Sequence, residues 1–309
     1  AMRGLASHIL RGRMPAILTV AALAVLALAV PLLGWPLTWF SAGGVALVTL
    51  QQGAREGGIV VAGATALVGV LGMLFGAPGL APALLVGLWL PVWVAAAATG
   101  ASRSLALGLM ICSLIGALTV LGAWIVLDDP VRWWQNYIHE ALLPALEQAG
   151  ILADMPADFE ARLNETARIM TGAMAASGTF GLSLGLVIGR WWQSVVTRPG
   201  AFGEEFRCLR LGRIVSLLML AVVLGAAFLP ETLALPLVNL VPVLAVPFLL
   251  QGLALTHVIL GRRPQDRGWL MGFYVLLVLF MPWSLVFVAV LGWLDNGLDF
   301  RARLPAGVD

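Results

Sequence analysis

Arg190 to Arg213 reads RWWQSVVTRPGAFGEEFRCLRLGR. It holds five arginines and two glutamates, in a chain of 309 residues of which only 11% are charged. Long apolar runs lie on both sides. Charges of this density are too costly for hydrocarbon, so the segment marks a turn of a membrane chain at the water interface.

Outward from this segment the chain divides into nine apolar stretches, at 14–33, 36–54, 57–76, 80–99, 104–127, 169–189, 214–230, 234–260 and 269–294. Each reaches or approaches the ~20 residues that a membrane-crossing helix needs. With 61% hydrophobic residues and a mean hydropathy of +0.97, a soluble enzyme is excluded. The expected fold is all-α: a polytopic membrane helix bundle of about nine transmembrane helices (eight or nine), one transmembrane domain over 1–309. The stretch 36–54 contains Trp35, Pro36 and Trp39 at its start, which also suit a re-entrant or interfacial piece. The arginine-rich start (Arg3, Arg11, Arg13) has no small-residue cleavage site after it and reads as the lead-in to a first span.

Every basic side chain besides histidine is arginine. Without lysine there is no P-loop and no Schiff base, so the chain carries no ATPase site of its own. With the N-terminus in the cytoplasm and alternating crossings, 13 of the 18 arginines fall on the cytoplasmic side, at 1–13, 55–56, 100–103, 190–213 and 261–268. This is a strong positive-inside bias. It predicts a multi-pass protein of the cytoplasmic (inner) membrane with the N-terminus cytoplasmic and, after nine crossings, the C-terminus on the outer, periplasmic side. Counting 36–54 as a span keeps that bias consistent.

The exposed insert 128–168 then lies outside. Asp128-Asp129-Pro130 is a helix start, and Trp134, Tyr137, Ile138, Ala141 and Leu142 recur at helical spacing, so an amphipathic helix on the outer face is expected. A short helix near Asp158–Arg168 feeds the sixth span. Ser177, Gly181, Gly185 and Gly189 form a small-residue stripe, as do Gly72 and Gly76; close packing within one bundle or a dimer interface are the alternatives.

The binding candidates come from broken apolar segments. Pro236, Pro242 and Pro247 accompany Asn239 and Gln251 in the eighth, and Pro282-Trp283-Ser284 interrupts the ninth. Interrupted helices at mid-membrane are pointers to transporter sites, which makes Asn239, Gln251, Trp283 and Ser284 the candidate ligand residues. The alternative is a kink with interhelical hydrogen bonds. Arg55 and Glu56 form a polar cytoplasmic cluster, read either as closing a pathway or as an ordinary helix–turn–helix loop.

Within 190–213, Arg207, Arg210 and Arg213 are spaced as a helical stripe after the Pro199-Gly200 turn, with Phe202, Phe206 and Leu209 on another face. Arg190, Trp191 and Trp192 sit where an aromatic belt belongs. The segment reads as an interfacial helix on anionic headgroups or as a docking surface for a protein partner or a second protomer. Asp295 and Asp299 with Arg301 form an acidic cluster expected on the outer face, read as solvated ion pairs. His8, His139 and His257 are scattered and Cys112 and Cys208 lie in different environments, so no metal, cofactor, catalytic residue or disulfide is expected, and no nucleic-acid partner.

The stretches QQGAREGGIVVAG, GASRSLALGL, GRWWQSVVTRPGAFGEEFRCLRLGR and LGWLDNGLDFRARL, spread over about 51 to 303, resemble the YybS-like predicted membrane proteins (domain of unknown function 2232). The resemblance implies a polytopic membrane protein, distantly similar to the substrate-binding S components of energy-coupling-factor transporters. Those are all-α, bind a small molecule and rely on separate partners for energy. The expected function is therefore small-molecule binding or transport without an ATPase of its own. A membrane scaffold or assembly factor acting through 190–213 and the outer insert is the alternative, and an intramembrane enzyme on lipid-linked substrates, joining Arg55, Glu56 and the Arg207 stripe, is a third class.

Overall fold

The computed structural model describes residues 2–30, 33–152, 155–261 and 267–303. The basic segment expected at 261–268 lies largely outside the described residues. Among the described residues all regular structure is helical. That is what an apolar solvent requires, since a helix satisfies its own backbone hydrogen bonds. In chain order the helices are α1 (Met2–Ile9), α2 (Arg13–Ala29), α3 (Gly34–Gln52), α4 (Ala54–Leu74), α5 (Leu80–Ser102), α6 (Leu105–Val126), α7 (Pro130–Tyr137), α8 (Leu143–Gln148), α9 (Phe159–Thr197), α10 (Ala201–Arg207), α11 (Arg213–Phe228), α12 (Glu231–Leu260), α13 (Arg267–Leu279) and α14 (Trp283–Leu298). Five of them, α4, α5, α6, α9 and α12, are long and apolar enough to cross a membrane. Arg13–Ala29, Arg213–Phe228, Gly268–Leu279 and Trp283–Leu298 are shorter apolar helices.

The chain forms two compact units. The first comprises Ala1–Ser113, Gly178–Arg213 and Val246–Asp309, the second Leu114–Ser177 and Ile214–Ala245.

The first unit is built around α3. Every residue from Ser41 to Thr49 is buried, so this helix meets neighbours on all sides. It is a core helix, not a surface-lying or interfacial piece. Its run Ser41-Ala42-Gly43-Gly44 lets backbones approach closely. A Cβ on Gly185 or on Gly189 of α9 would lie 2.5 Å from the Cβ of Ala42 or Ala46 respectively. The glycine stripe of α9 is thus a packing seam within the chain. Gly72 and Gly76 behave differently. A Cβ on Gly72 would lie 2.6 Å from the Ala77 carbonyl, and Gly76 adopts φ +75° in the turn that ends α4.

A polar thread runs through this core. Trp89 Nε1 donates to Ser41 Oγ (3.0 Å), which donates to the Val20 carbonyl (2.8 Å). Trp89 ends a π-helical turn, Leu85–Trp89, inside α5. The wider turn falls where the Pro91 ring would otherwise press on the Gly87 carbonyl.

The ninth apolar stretch is not one crossing helix. Residues 280–282 form a turn between α13 and α14, whose 13 and 16 residues span only ~20 and ~24 Å. Pro282 cannot supply a ladder N–H, and Ser284 Oγ donates to the Leu277 carbonyl (2.5 Å), occupying an acceptor that the end of α13 leaves open. The chain then turns back. Gly252 of α12 and Gly292 of α14 cross so closely that a Cβ on Gly292 would lie 2.6 Å from the Gly252 nitrogen. Gly261, after α12, and Arg301, after α14, border the same cleft. The end of α14 therefore returns to the end of the unit from which α13 sets out, not to the opposite end, as the nine-crossing count predicted.

Two further expectations are corrected. The prolines of the eighth stretch do not break it: α12 is continuous over 30 residues. The helix expected near 158–168 and the sixth span are a single helix of 39 residues, α9, which continues through Arg190 to Thr197.

In the second unit Val120, Ala175, Leu240 and Val243 form a buried cluster, with Ala117, Trp124, Val222 and Leu237 around it. Asn239 inserts into the α9 ladder: Oδ1 accepts the Gly172 N–H (2.7 Å), while Nδ2 donates to the carbonyls of Arg168 (2.9 Å) and Leu235 (3.0 Å). Gly172 permits this, since its Cβ would lie 2.7 Å from the Asn239 Cα. In the insert, Asp129 caps α7 by accepting the Arg132 N–H (3.0 Å), and Trp134 Nε1 donates to Thr171 Oγ1 (2.9 Å).

Candidate functional site

The feature with most chemical capacity is a basic cleft at one end of the first unit. Its volume is about 600 Å³, and Arg207, Cys208, Arg210, His257, Val258, Gly261 and Arg301 line it. Three segments far apart in sequence build it: the strip after α10, the end of α12 and the turn after α14.

The strip comes first. Gly200 adopts φ +94°, a conformation that favours glycine, and turns the chain into α10. Phe202 and Phe206 stack along α10 at 5.6 Å, and Phe206 meets the His257 ring edge-on at 5.9 Å. The helix ends at Arg207, and residues 208–212 are not helical. Arg207, Arg210 and Arg213 therefore form no helical stripe. Arg207 ends one helix, Arg213 starts the next and Arg210 stands on the strip between them.

Side chains from α12 and α14 hold that strip. Gln251, fully buried, accepts the Leu211 N–H (2.9 Å), and Asn296 accepts the Gly212 N–H (3.2 Å). Gln251 Nε2 donates to Asn296 Oδ1 (3.2 Å) and, at 3.4 Å, to Asp295 Oδ2. Gln251 is thus a brace for the loop that carries Arg210.

Arg301 closes the structure from the other side. Its guanidinium donates to the carbonyls of Arg207 and Leu209, and Nε lies 3.0 Å from Asp295 Oδ2, an ion pair without the angle of a directed hydrogen bond. The Asp295 side chain is completely buried and that of Arg301 only 11% exposed, so these are not solvated ion pairs. Burial pushes the Arg301 guanidinium below its usual pKa, while the charge of Asp295 acts against that. Beside it, Asp299 accepts from Arg210 at 2.5 Å. This hydrogen bond raises the Arg210 pKa and holds the Asp299 carboxyl below the usual carboxylate range.

The guanidinium of Arg207 has no hydrogen bond or ion pair among the described residues. His257 Nδ1 lies 2.8 Å from the Leu253 carbonyl, which makes it the protonated nitrogen, and leaves Nε2 3.5 Å from the Tyr274 hydroxyl. The cleft therefore gathers three guanidiniums and an imidazole against two carboxylates, an arrangement suited to holding an anion.

The other candidates sit elsewhere. Arg190 pairs with Glu205 (2.8 Å) and reaches Gln193, whose Nε2 donates to the Leu50 carbonyl (3.0 Å). Trp191 is half-buried. Trp192 is fully buried and stacks on Phe40 at 5.8 Å, so it belongs to the core and not to an aromatic belt. Glu56 is engaged by Arg13 in a two-pronged bond, both contacts 2.7 Å, and not by Arg55. Asn239 lies in the second unit with its amide spent on backbone, Trp283 is 78% exposed, and Ser284 bonds its own turn. Within the first unit, Gln251, Trp283 and Ser284 do not converge. What the sequence reading missed was His257 and Arg301 as partners of Arg207 and Arg210. The local trace was Arg301 two residues beyond Asp299.

No curated protein and no solved structure matches the chain. The family described as Predicted membrane protein (DUF2232) matches it over residues 17–296, nearly its whole length, and the chain belongs to that family.

Proposed function

We propose that this membrane protein binds a small anionic molecule in the cleft of Arg207, Arg210, His257 and Arg301 and helps move it across the bacterial inner membrane, without an ATPase of its own. The observation that carries this reading is the convergence of cationic side chains from three segments on one cleft of about 600 Å³, within the usual range of small-molecule sites (~300–1,000 Å³). The arginine bias supports a cytoplasmic N-terminus and a cytoplasmic position for the cleft. On that orientation the end of α14 also faces the cytoplasm, which replaces the periplasmic C-terminus expected from nine crossings. Anionic lipid headgroups are the natural surroundings of such a site.

The test is thermal unfolding of the purified full chain against a panel of small anions and neutral analogues. A concentration-dependent rise in Tm with anions alone supports the reading. No shift with any compound contradicts it.

A scaffold role through 190–213 has weaker support. Trp192, Leu209 and Leu211 are buried within the chain and Arg190 is engaged by Glu205, which takes these four from a partner, while the exposed Arg207 and Arg210 line the cleft. An enzyme site joining Arg55 and Glu56 to Arg207 has none, because neither residue lines the cleft.

A further inference from the structure

We infer that the anion held in this cleft is a phosphate group, carried by a phosphomonoester or by a lipid headgroup; this rests on the anion-binding reading above. The argument begins with charge. Of the three guanidiniums, Arg301 is the most committed: each of its two terminal nitrogens donates to a carbonyl and Nε faces Asp295. It is a strut that contributes chiefly charge. Arg210 spends one terminal nitrogen on Asp299, which leaves the rest of its fork available. Arg207 is uncommitted among the described residues. The cleft thus offers donors from the end of α10, from the strip after it and, when protonated, from His257 on α12.

The geometry then selects among anions. Donors that arrive from two segments far apart in sequence, Arg207 and Arg210 on one and His257 on the other, suit an ion with acceptor oxygens on several sides, which a tetrahedral phosphate has and a planar carboxylate lacks. After Asp295 and Asp299 are paired, one guanidinium charge remains, so the cleft is net positive toward a phosphomonoester, which carries about −1.5 to −2 at neutral pH. The backbone N–H groups of Cys208, Leu209, Leu211 and Gly212 are already bonded within the chain, so the strip holds a ligand chiefly by side-chain charge and selects against neutral polar molecules.

The cleft also contains its own reporter. Cys208 lines it and is exposed, whereas Cys112 is buried, so a maleimide reads one thiol. The experiment measures the alkylation rate of Cys208 in the full chain in lipid nanodiscs. One arm titrates glycerol 3-phosphate into phosphatidylcholine discs. The other compares discs containing phosphatidic acid with phosphatidylcholine discs, with no soluble ligand. Saturable slowing in the first arm supports the inference with a soluble ligand, and slowing in the second supports it with a lipid.

Arg207→Gln should weaken either protection about tenfold or more, because one charge-assisted contact is lost, while Arg11→Gln should leave it unchanged. Unchanged protection in Arg207→Gln would overturn the inference. If Arg207→Gln does not fold, inorganic phosphate on the unaltered chain decides instead: saturable slowing of Cys208 alkylation by phosphate supports the inference, and no slowing overturns it. Stronger protection by succinate than by glycerol 3-phosphate overturns the phosphate assignment and leaves the small-anion reading standing. Absence of protection by every anion overturns both.

Discussion

Arg301 lies three residues beyond the end of α14, yet its Nε sits 3.0 Å from the carboxylate of Asp295, which is completely buried in the last turn of that helix. The same guanidinium caps two carbonyls of the strip that carries Arg210. A single side chain thus neutralises a buried acid and fixes the wall of the candidate site. Asp299, with φ +44°, is the turn that makes this reach possible.

Breaking that pair by Asp295→Ala leaves a buried guanidinium without its counter-charge. A loss of about 3–5 kcal/mol is expected on general grounds. Replacing both, Asp295→Leu with Arg301→Met, should cost less than either single change. Equilibrium unfolding in detergent of the native chain, Asp295→Leu, Arg301→Met and the double variant reads the coupling, and additive losses would refute it.

The Arg210–Asp299 bond makes a pH prediction whose sign follows from the lowered carboxyl pKa. A depressed acid contributes stability that is fully present above its unfolded value, near 3.9, and is lost as pH falls through the lower folded value. The difference in stability between the native chain and Asp299→Asn should therefore be constant between pH 6 and 8 and vanish at strongly acidic pH. A difference that changes between pH 6 and 8 would contradict the assignment.

Trp192 separates the core reading of the arginine-rich segment from an interfacial one. Its ring is buried against Phe40, so Trp192→Ala should cost about 3–5 kcal/mol, as large-to-small core changes do, while Trp191→Ala should cost far less. Equal effects would point to a lipid-facing pair.

Where α12 and α14 cross, no side chain fits. Gly292→Ala sets a methyl group against backbone of α12, at a cost of about 1–3 kcal/mol, and a larger residue should block assembly of the hairpin. Gly297→Ala, with open space around it, is the matched control. Melting temperatures of the two variants test the crossing.

These features differ in how visible they are in the sequence. The helical membrane class was legible, because it depends on local apolar runs, and so was the cap of α7 by Asp129, which depends on residues three apart. The glycine stripe Gly181-Gly185-Gly189 was legible as a close-packing face, but not its partner: Ala42 and Ala46 lie over 140 residues away. The prolines of the eighth stretch misled, since a proline marks a helix as weakened without saying whether neighbours support it. The turn at 280–282 was visible in Pro282, but not that α14 folds back onto α12. The candidate site was the least legible part. Arg210 and Asp299 are 89 residues apart and meet only because the last helix returns, so a count of alternating crossings set them on opposite faces.

The return of α14 can be read directly. With Cys208 changed to Ser, a cysteine at Ala302 should be labelled by impermeant maleimide from the same side of the membrane as the native Cys208. Labelling from the opposite side would restore the nine-crossing arrangement.

The most direct test of the anion-site account is a high-resolution map of the full chain purified with an anion that raises its Tm. The account predicts density for that anion between Arg207 and Arg210, within hydrogen-bonding distance of both and beside His257. A cleft filled by protein side chains, with the ligand bound elsewhere, would contradict it.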